Sequence, residues 1–197
     1  MSRMAGMPFR LLGLALCFAV VPAFWMGAMA YGAHAETRAV TTVSSVDLAR
    51  YAGDWFEVAR YPNWFQKKCA GDVKATYAQR PDGRITVTNR CRTADGDTTE
   101  AAGIARVVDE TTRAKLKVRF APSFLSFLPF VWGDYWILGL DEDYRWAVVG
   151  SPDRNYLWIL SRTPALEPAM YDKAVAQARA NGFDVSRLQR TNQAASR

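Results

Sequence analysis

Gly53-Asp54-Trp55 and Tyr156-Leu157-Trp158-Ile159-Leu160-Ser161-Arg162-Thr163-Pro164 bracket a run of short alternating segments, and the pair decides the fold. Eight segments read as strands: 55–61, 72–80, 84–92, 98–108, 115–121, 135–140, 145–150 and 156–161. Turn words such as Pro81-Asp82-Gly83, Ala94-Asp95-Gly96-Asp97 and Asp141-Glu142-Asp143 separate them, which is the pattern of an antiparallel meander. A Trp opening the first strand and an Arg closing the last meet only if the sheet curls until those strands are neighbours. The reading is therefore all-β, an eight-stranded antiparallel up-and-down β-barrel. After Pro164 the period changes: Tyr171, Ala174, Val175 and Ala178 recur at helical spacing between Pro168 and Gly182. That apolar face must cover something, and Phe183, Val185 and Leu188 read as a last extended segment beside the helix.

The two bracketing words resemble the signature of the lipocalin family, in particular its bacterial outer-membrane-lipoprotein, apolipoprotein D-like members. The resemblance implies a cup for hydrophobic cargo with the C-terminal α-helix packed outside it. It assigns Gly53, Trp55 and Arg162 to the closed floor, the arginine lying across the indole as a shielded cation–π contact. It also assigns ligand-facing roles to Tyr77, Asn89, Phe120, Tyr135 and Trp158. Strand alternation is compatible with this, since Val73, Ala75 and Tyr77 share a face, as do Ile85, Val87 and Asn89, Leu116, Val118 and Phe120, and Tyr135, Ile137 and Gly139. Ala75 and Gly139 are expected to leave space in the cup.

The N-terminus sets the compartment. Arg3 and Arg10 precede an apolar run from Leu11 to Tyr31 that ends in Ala33-His34-Ala35, the form of a secretory signal peptide over residues 1–35; an uncleaved anchor is the lesser alternative. Residues 36–46 read as a polar lead-in and residues 47–197 as one barrel domain. Cys17 follows Leu14-Ala15-Leu16 and is followed by more apolar sequence, so it reads as filler of the apolar run and not as a lipid-anchor site. The expected location is the periplasm or the periplasmic face of the outer membrane.

Cleavage leaves twenty-three basic against nineteen acidic residues, a mild +4 with the charges interspersed, which gives no nucleic-acid footprint. It also removes His34, the single histidine, and with it the triads and the imidazole metal sites that need one. Neither metal nor cofactor is expected. Cys69 and Cys91 remain, an even number in an exported chain, and read as a disulfide. The hairpin register sets Cys91 nearer Val73, so a bridge requires the first loop to fold inward.

In a meander the connections at 63–68, 94–97, 122–133 and 151–155 share the open mouth. Asn89 and the hydroxyls of Tyr77 and Tyr135 supply a few polar groups in an apolar cavity, which suits a fatty acid, a lysophospholipid or another amphiphile with one polar end. The uncharged segment holding Phe124, Leu125, Phe127, Leu128, Phe130 and Trp132 would expose large apolar side chains at that mouth unless it closes as a lid or docks on a membrane or partner. The principal reading is binding, storage or transport of a small lipophilic ligand in the envelope, with possible peripheral membrane contact. The alternatives are an interaction module docking through the apolar loop and an enzyme using Cys91 as nucleophile.

Overall fold

A computed structural model describes residues 39–194. The expected signal segment, with Cys17 and His34, lies outside the described residues, and the part described belongs to the unit Glu36–Arg197. Eight strands form the meander: β1 (Gly53–Arg60), β2 (Cys69–Gln79), β3 (Ile85–Thr93), β4 (Thr98–Val107), β5 (Lys115–Arg119), β6 (Gly133–Leu140), β7 (Trp146–Gly150) and β8 (Leu157–Ser161). Because β1 pairs antiparallel with both β2 and β8, the sheet closes on itself and leaves no open edge in the wall. A short ninth strand, β9 (Gln189–Arg190), pairs with the end of β1.

The floor is built on Trp55, which is fully buried. Its indole nitrogen donates to the Tyr51 carbonyl at 2.8 Å, and the Arg162 guanidinium carbon stands 4.0 Å above the ring. Arg162 also donates to the carbonyls of Arg50 (2.5 Å), Ala52 (3.0 Å), Asp54 (2.9 Å) and Tyr144 (3.3 Å), so one side chain ties the start of β1 to the turn before β7. Gly53 sits at φ +94°, a backbone conformation that L side chains rarely adopt, so the position disfavours a side chain.

A one-turn helix, α1 (Leu48–Tyr51), was not legible in the sequence; the Asp47 carboxylate caps it by accepting from the Ala49 and Arg50 amides. The lead-in is less detached than its composition suggests. Val43 donates its amide to Ile137 and Val46 to Thr112, and both side chains pack into the barrel interior.

Two apolar layers follow from alternation. Trp55, Tyr77, Val87, Leu116, Ile137, Val149 and Leu160 point inward, while Val58, Leu138, Val148, Leu157 and Ile159 point out beneath the helix α2 (Pro168–Ala180). Every residue of β7 is buried as a result, because both of its faces are covered. Ala174 and Ala178, fully buried, let α2 approach closely, and Gln177 donates from its side-chain amide to the Leu138 carbonyl at 2.9 Å.

Gly139 does not open the cup as expected. A register shift between Ile137 and Gly139 turns it outward, where an added Cβ would come within 2.6 Å of Gln177, so the missing side chain makes room for α2. The chain end also differs from the expectation. After a 3-10 turn at Val185–Arg187, residues 189–194 leave the helix and bridge β1 and β2 where those strands separate. Thr191 donates its amide to Val58, Asn192 accepts from Asp72, and the Gln193 amide donates to the carbonyls of both Glu57 and Val73.

Trp55→Ala is expected to cost about 3–5 kcal/mol, as a buried Trp truncation does. The melting temperature should fall by on the order of 10 °C; an unchanged value in calorimetry would remove Trp55 from the floor.

Candidate functional site

The barrel interior holds an open cavity of about 110 Å³. Its wall includes Tyr77, Asn89, Phe120, Tyr135 and Trp158, so all five positions singled out in the sequence come together on one surface. Val73, Ala75, Val118, Val149 and Leu160 fill the wall between them. A smaller space of about 20 Å³ lies against Leu48, Tyr51, Ile85, Leu116 and Ile137, and it shares Tyr77 and Tyr135 with the larger one.

Among the wall residues not anticipated are Glu57, Gln66, Phe65 and Lys74, the last paired with Asp54 at 2.7 Å. Glu57, two residues after Trp55 and on the same inward face, is buried yet ionic. Its carboxylate accepts from Arg60 Nη1 (2.6 Å), Thr191 Oγ1 (2.5 Å) and Gln66 Nε2 (2.7 Å). The charge is therefore paired and hydrogen-bonded, as a buried carboxylate must be. Gln66 in turn accepts from the Trp158 indole at 3.0 Å and from Asn63 at 2.6 Å, which pulls the first mouth loop inward onto the wall. Phe65 follows, its ring centroid 5.6 Å from Tyr156 and 6.3 Å from Trp158, while Tyr156 and Trp158 stack 8° from parallel. Trp158 is thus fixed on both its polar and its apolar faces. The parity of Glu57 could have been read from Trp55; the inward fold of Gln66 and Phe65 has no periodic signal.

At the deep end, Tyr51 Oη and Tyr77 Oη lie 2.8 Å and 2.9 Å from Tyr135 Oη. Burial raises all three phenol pKa values, that of Tyr77 to about 12; Tyr77 pushes Tyr51 up further, and Tyr51 and Tyr77 together push Tyr135 up.

Cys69 and Cys91 form a disulfide with their Cα atoms 5.5 Å apart. The mismatch expected from the hairpin is absorbed by β2 itself. Two register shifts, with Asp72 at φ 52°, slide the strand until Cys69 pairs with Thr93, and the inward first loop precedes it. The bond consumes the Cys91 thiol that the enzyme alternative requires.

The mouth segment forms 3-10 turns at Ser123–Leu125 and Pro129–Val131. It splits the six apolar residues into two sets. Phe124, Phe127 and Phe130 are 72, 76 and 79% exposed, whereas Leu125, Leu128 and Trp132 are half-buried and are not part of an outward rim. Trp132 is instead the base of the segment. Its ring lies 4.5 Å from the Arg106 and 5.3 Å from the Arg119 guanidinium carbon, and its indole donates to the Ser126 carbonyl. Arg119 donates to the carbonyls of Ala121 and Pro122. The three phenylalanines are thus exposed here, and Trp64, 73% exposed, adds a fourth ring from the first mouth loop.

Residues 46–193 match the family model described as a lipocalin-like domain. The chain is 42% identical to temperature-induced lipocalin-1 of Arabidopsis thaliana over 160 residues, covering 80% of this chain and 85% of that one. It is 41% identical to outer membrane lipoprotein Blc of Escherichia coli K12, covering 77% and 81%, and 30% identical to apolipoprotein D of mouse, covering 75% and 77%. Among solved structures, lobster apocrustacyanin A1 superposes with a TM-score of 0.62 at 17% identity, covering 80% of this chain and 92% of that one. Insecticyanin of the tobacco hornworm superposes with a TM-score of 0.61 at 19% identity, covering 79% and 85%; these two likenesses show the fold alone.

The raised phenol pKa values have a direct consequence at high pH. In the unfolded chain these groups ionise near pH 10, so their stabilising effect is complete below that value and is lost as the pH climbs toward and past the folded values. In an alkaline titration the exposed tyrosines should ionise first. The buried three should ionise only together with cooperative loss of the near-ultraviolet circular dichroism. Smooth ionisation of every tyrosine near pH 10 with the fold intact would contradict the burial of the trio.

Proposed function

The chain belongs to the lipocalin family, and from that membership we propose that it binds one small lipophilic ligand, a fatty acid or a lysophospholipid, and stores or carries it in the cell envelope. The observation that carries this reading is the cavity itself. It is open at one end and walled by aromatic and aliphatic side chains with a few polar groups. The reading assigns no catalytic residue, no metal and no cofactor.

Envelope localisation is supported by the Arg-flanked apolar N-terminus and by bacterial relatives named outer membrane lipoproteins. In this reading the mature chain begins at Glu36 and faces the periplasm. The four exposed mouth rings support a second element, peripheral docking on a membrane that brings the open cup to its lipid source. Docking on a protein through the same rings is the competing reading.

Trp158→Ala should weaken binding of a fluorescent fatty-acid analogue with little change in melting temperature, because it strips aromatic contact from the wall and leaves the floor in place. Equal affinity would take Trp158 out of the ligand site.

The docking element has its own test. Phe127→Asp combined with Phe130→Asp should reduce co-sedimentation with anionic liposomes and leave the affinity for a soluble monomeric fatty-acid analogue unchanged, since a charge must be dehydrated to enter the interface. Unchanged liposome binding would sink membrane docking, and a changed ligand release rate would mean that the segment acts on the cup after all.

A further inference from the structure

The three phenols at the bottom of the cup carry more donors than they can use among themselves. Each tyrosine has one O–H, so the trio holds three protons, and only two contacts link the oxygens, Tyr51 to Tyr135 and Tyr135 to Tyr77. Whichever way the hydroxyls rotate, one proton is left over. Among the described residues no other side chain or carbonyl is hydrogen-bonded to these oxygens, and Tyr51 and Tyr77 are 4 and 8% exposed. A buried donor without an acceptor is costly to keep. Tyr77 and Tyr135 border both cavities, so the space that can meet the proton is the ligand space itself.

The surroundings define what kind of acceptor fits. Val87 and Val118 border both spaces beside the phenols, and no charged residue lines the lower one. The nearest ionic wall residue on β1, Glu57, is already paired with Arg60. A carboxylate or phosphate brought to this depth would lose its hydration with no free cation to replace it, because Lys74 on the upper wall is paired with Asp54 and Arg162 lies over the Trp55 ring with its donors on backbone carbonyls. An uncharged oxygen would not.

We propose that the Tyr51–Tyr135–Tyr77 cluster is a ligand subsite that donates its surplus hydrogen bond to an uncharged acceptor, a carbonyl, ester or hydroxyl oxygen, on the inward end of the ligand. It rests on the cup being the ligand site and deepens that reading. A fatty ketone, alcohol or ester enters with its oxygen at the floor and its chain toward the mouth, whereas an amphiphile with an ionised head keeps that head at the mouth. Burial holds the phenols protonated through the neutral range, so the donor is always present.

The probe is a long-chain methyl ketone with a carbon-13 carbonyl, added to the full-length mature protein. Its bound carbonyl stretch should fall at the lowered frequency of a hydrogen-bonded ketone, and its carbon-13 resonance should be untouched by a water-soluble paramagnetic agent. In the variant combining Tyr51→Phe, Tyr77→Phe and Tyr135→Phe, the stretch should return to its value in alkane and the affinity should fall about fivefold. An alkane-like stretch in the wild-type protein, or broadening of the resonance by the paramagnetic agent, overturns the proposal without recourse to the variant. A fluorescent fatty-acid analogue is measured in parallel. If it binds and the ketone does not displace it, the subsite fails and the cup reading stands; if neither binds, both fall.

Discussion

One guanidinium holds the barrel shut. Arg162 comes off the last wall strand, lies 4.0 Å over the Trp55 ring and donates to four backbone carbonyls, those of Arg50 and Ala52 on the chain entering β1, of Asp54 at the start of β1 and of Tyr144 before β7. The Arg50 and Ala52 carbonyls sit where a meander has nothing else to offer them, because the chain there has not yet joined the sheet. The contact fastens the seam that the pairing of β1 with β8 closes, covers the indole and holds the one-turn helix that carries Tyr51 against the floor. It also gives the barrel two unlike ends, one sealed by side chains and the other free to be shaped by loops.

The sealed end determines what the free end can do. With the floor fixed, the inward face of each strand becomes wall, and the wall residues differ in character with depth. Three linked phenols lie at the bottom. At mid-height the paired carboxylate of Glu57 anchors Gln66 and, through it, Trp158. The mouth ends in phenylalanines that no other part of the described chain covers. The family comparison and the physical reading agree on a container for something apolar. The gradient of polarity is a property of this chain's own residues.

Most of the fold was legible because straight strands obey a period of two and the turn words are chemically explicit. The eight wall strands lie within a few residues of where alternation and turn chemistry put them, and Pro168 and Gly182 bracket α2 as expected. The five candidate wall residues reached the cavity for the same reason: between the bulges, parity is preserved from the floor to the mouth. Legibility failed where the period breaks. The shift after Glu57 in β1 and that after Ile137 in β6 change the outward set, which sent Gly139 to the helix instead of the cup. A single helical turn is too short for periodicity, so Tyr51 was missed although Asp47 announces a cap. Trp132 looked like rim because composition cannot show that two arginines on neighbouring strands would hold it at the base of its segment.

The central claim is that the cup carries a lipophile in the cell. Native mass spectrometry of protein purified from its own envelope, without detergent capable of exchanging the contents, tests it most directly. The account predicts a one-to-one complex whose extra mass is released into organic solvent as a single-chain lipid or a related apolar compound, and whose population falls in Trp158→Ala. A bare polypeptide mass in the wild type, persisting after incubation with envelope lipid extract, would contradict it.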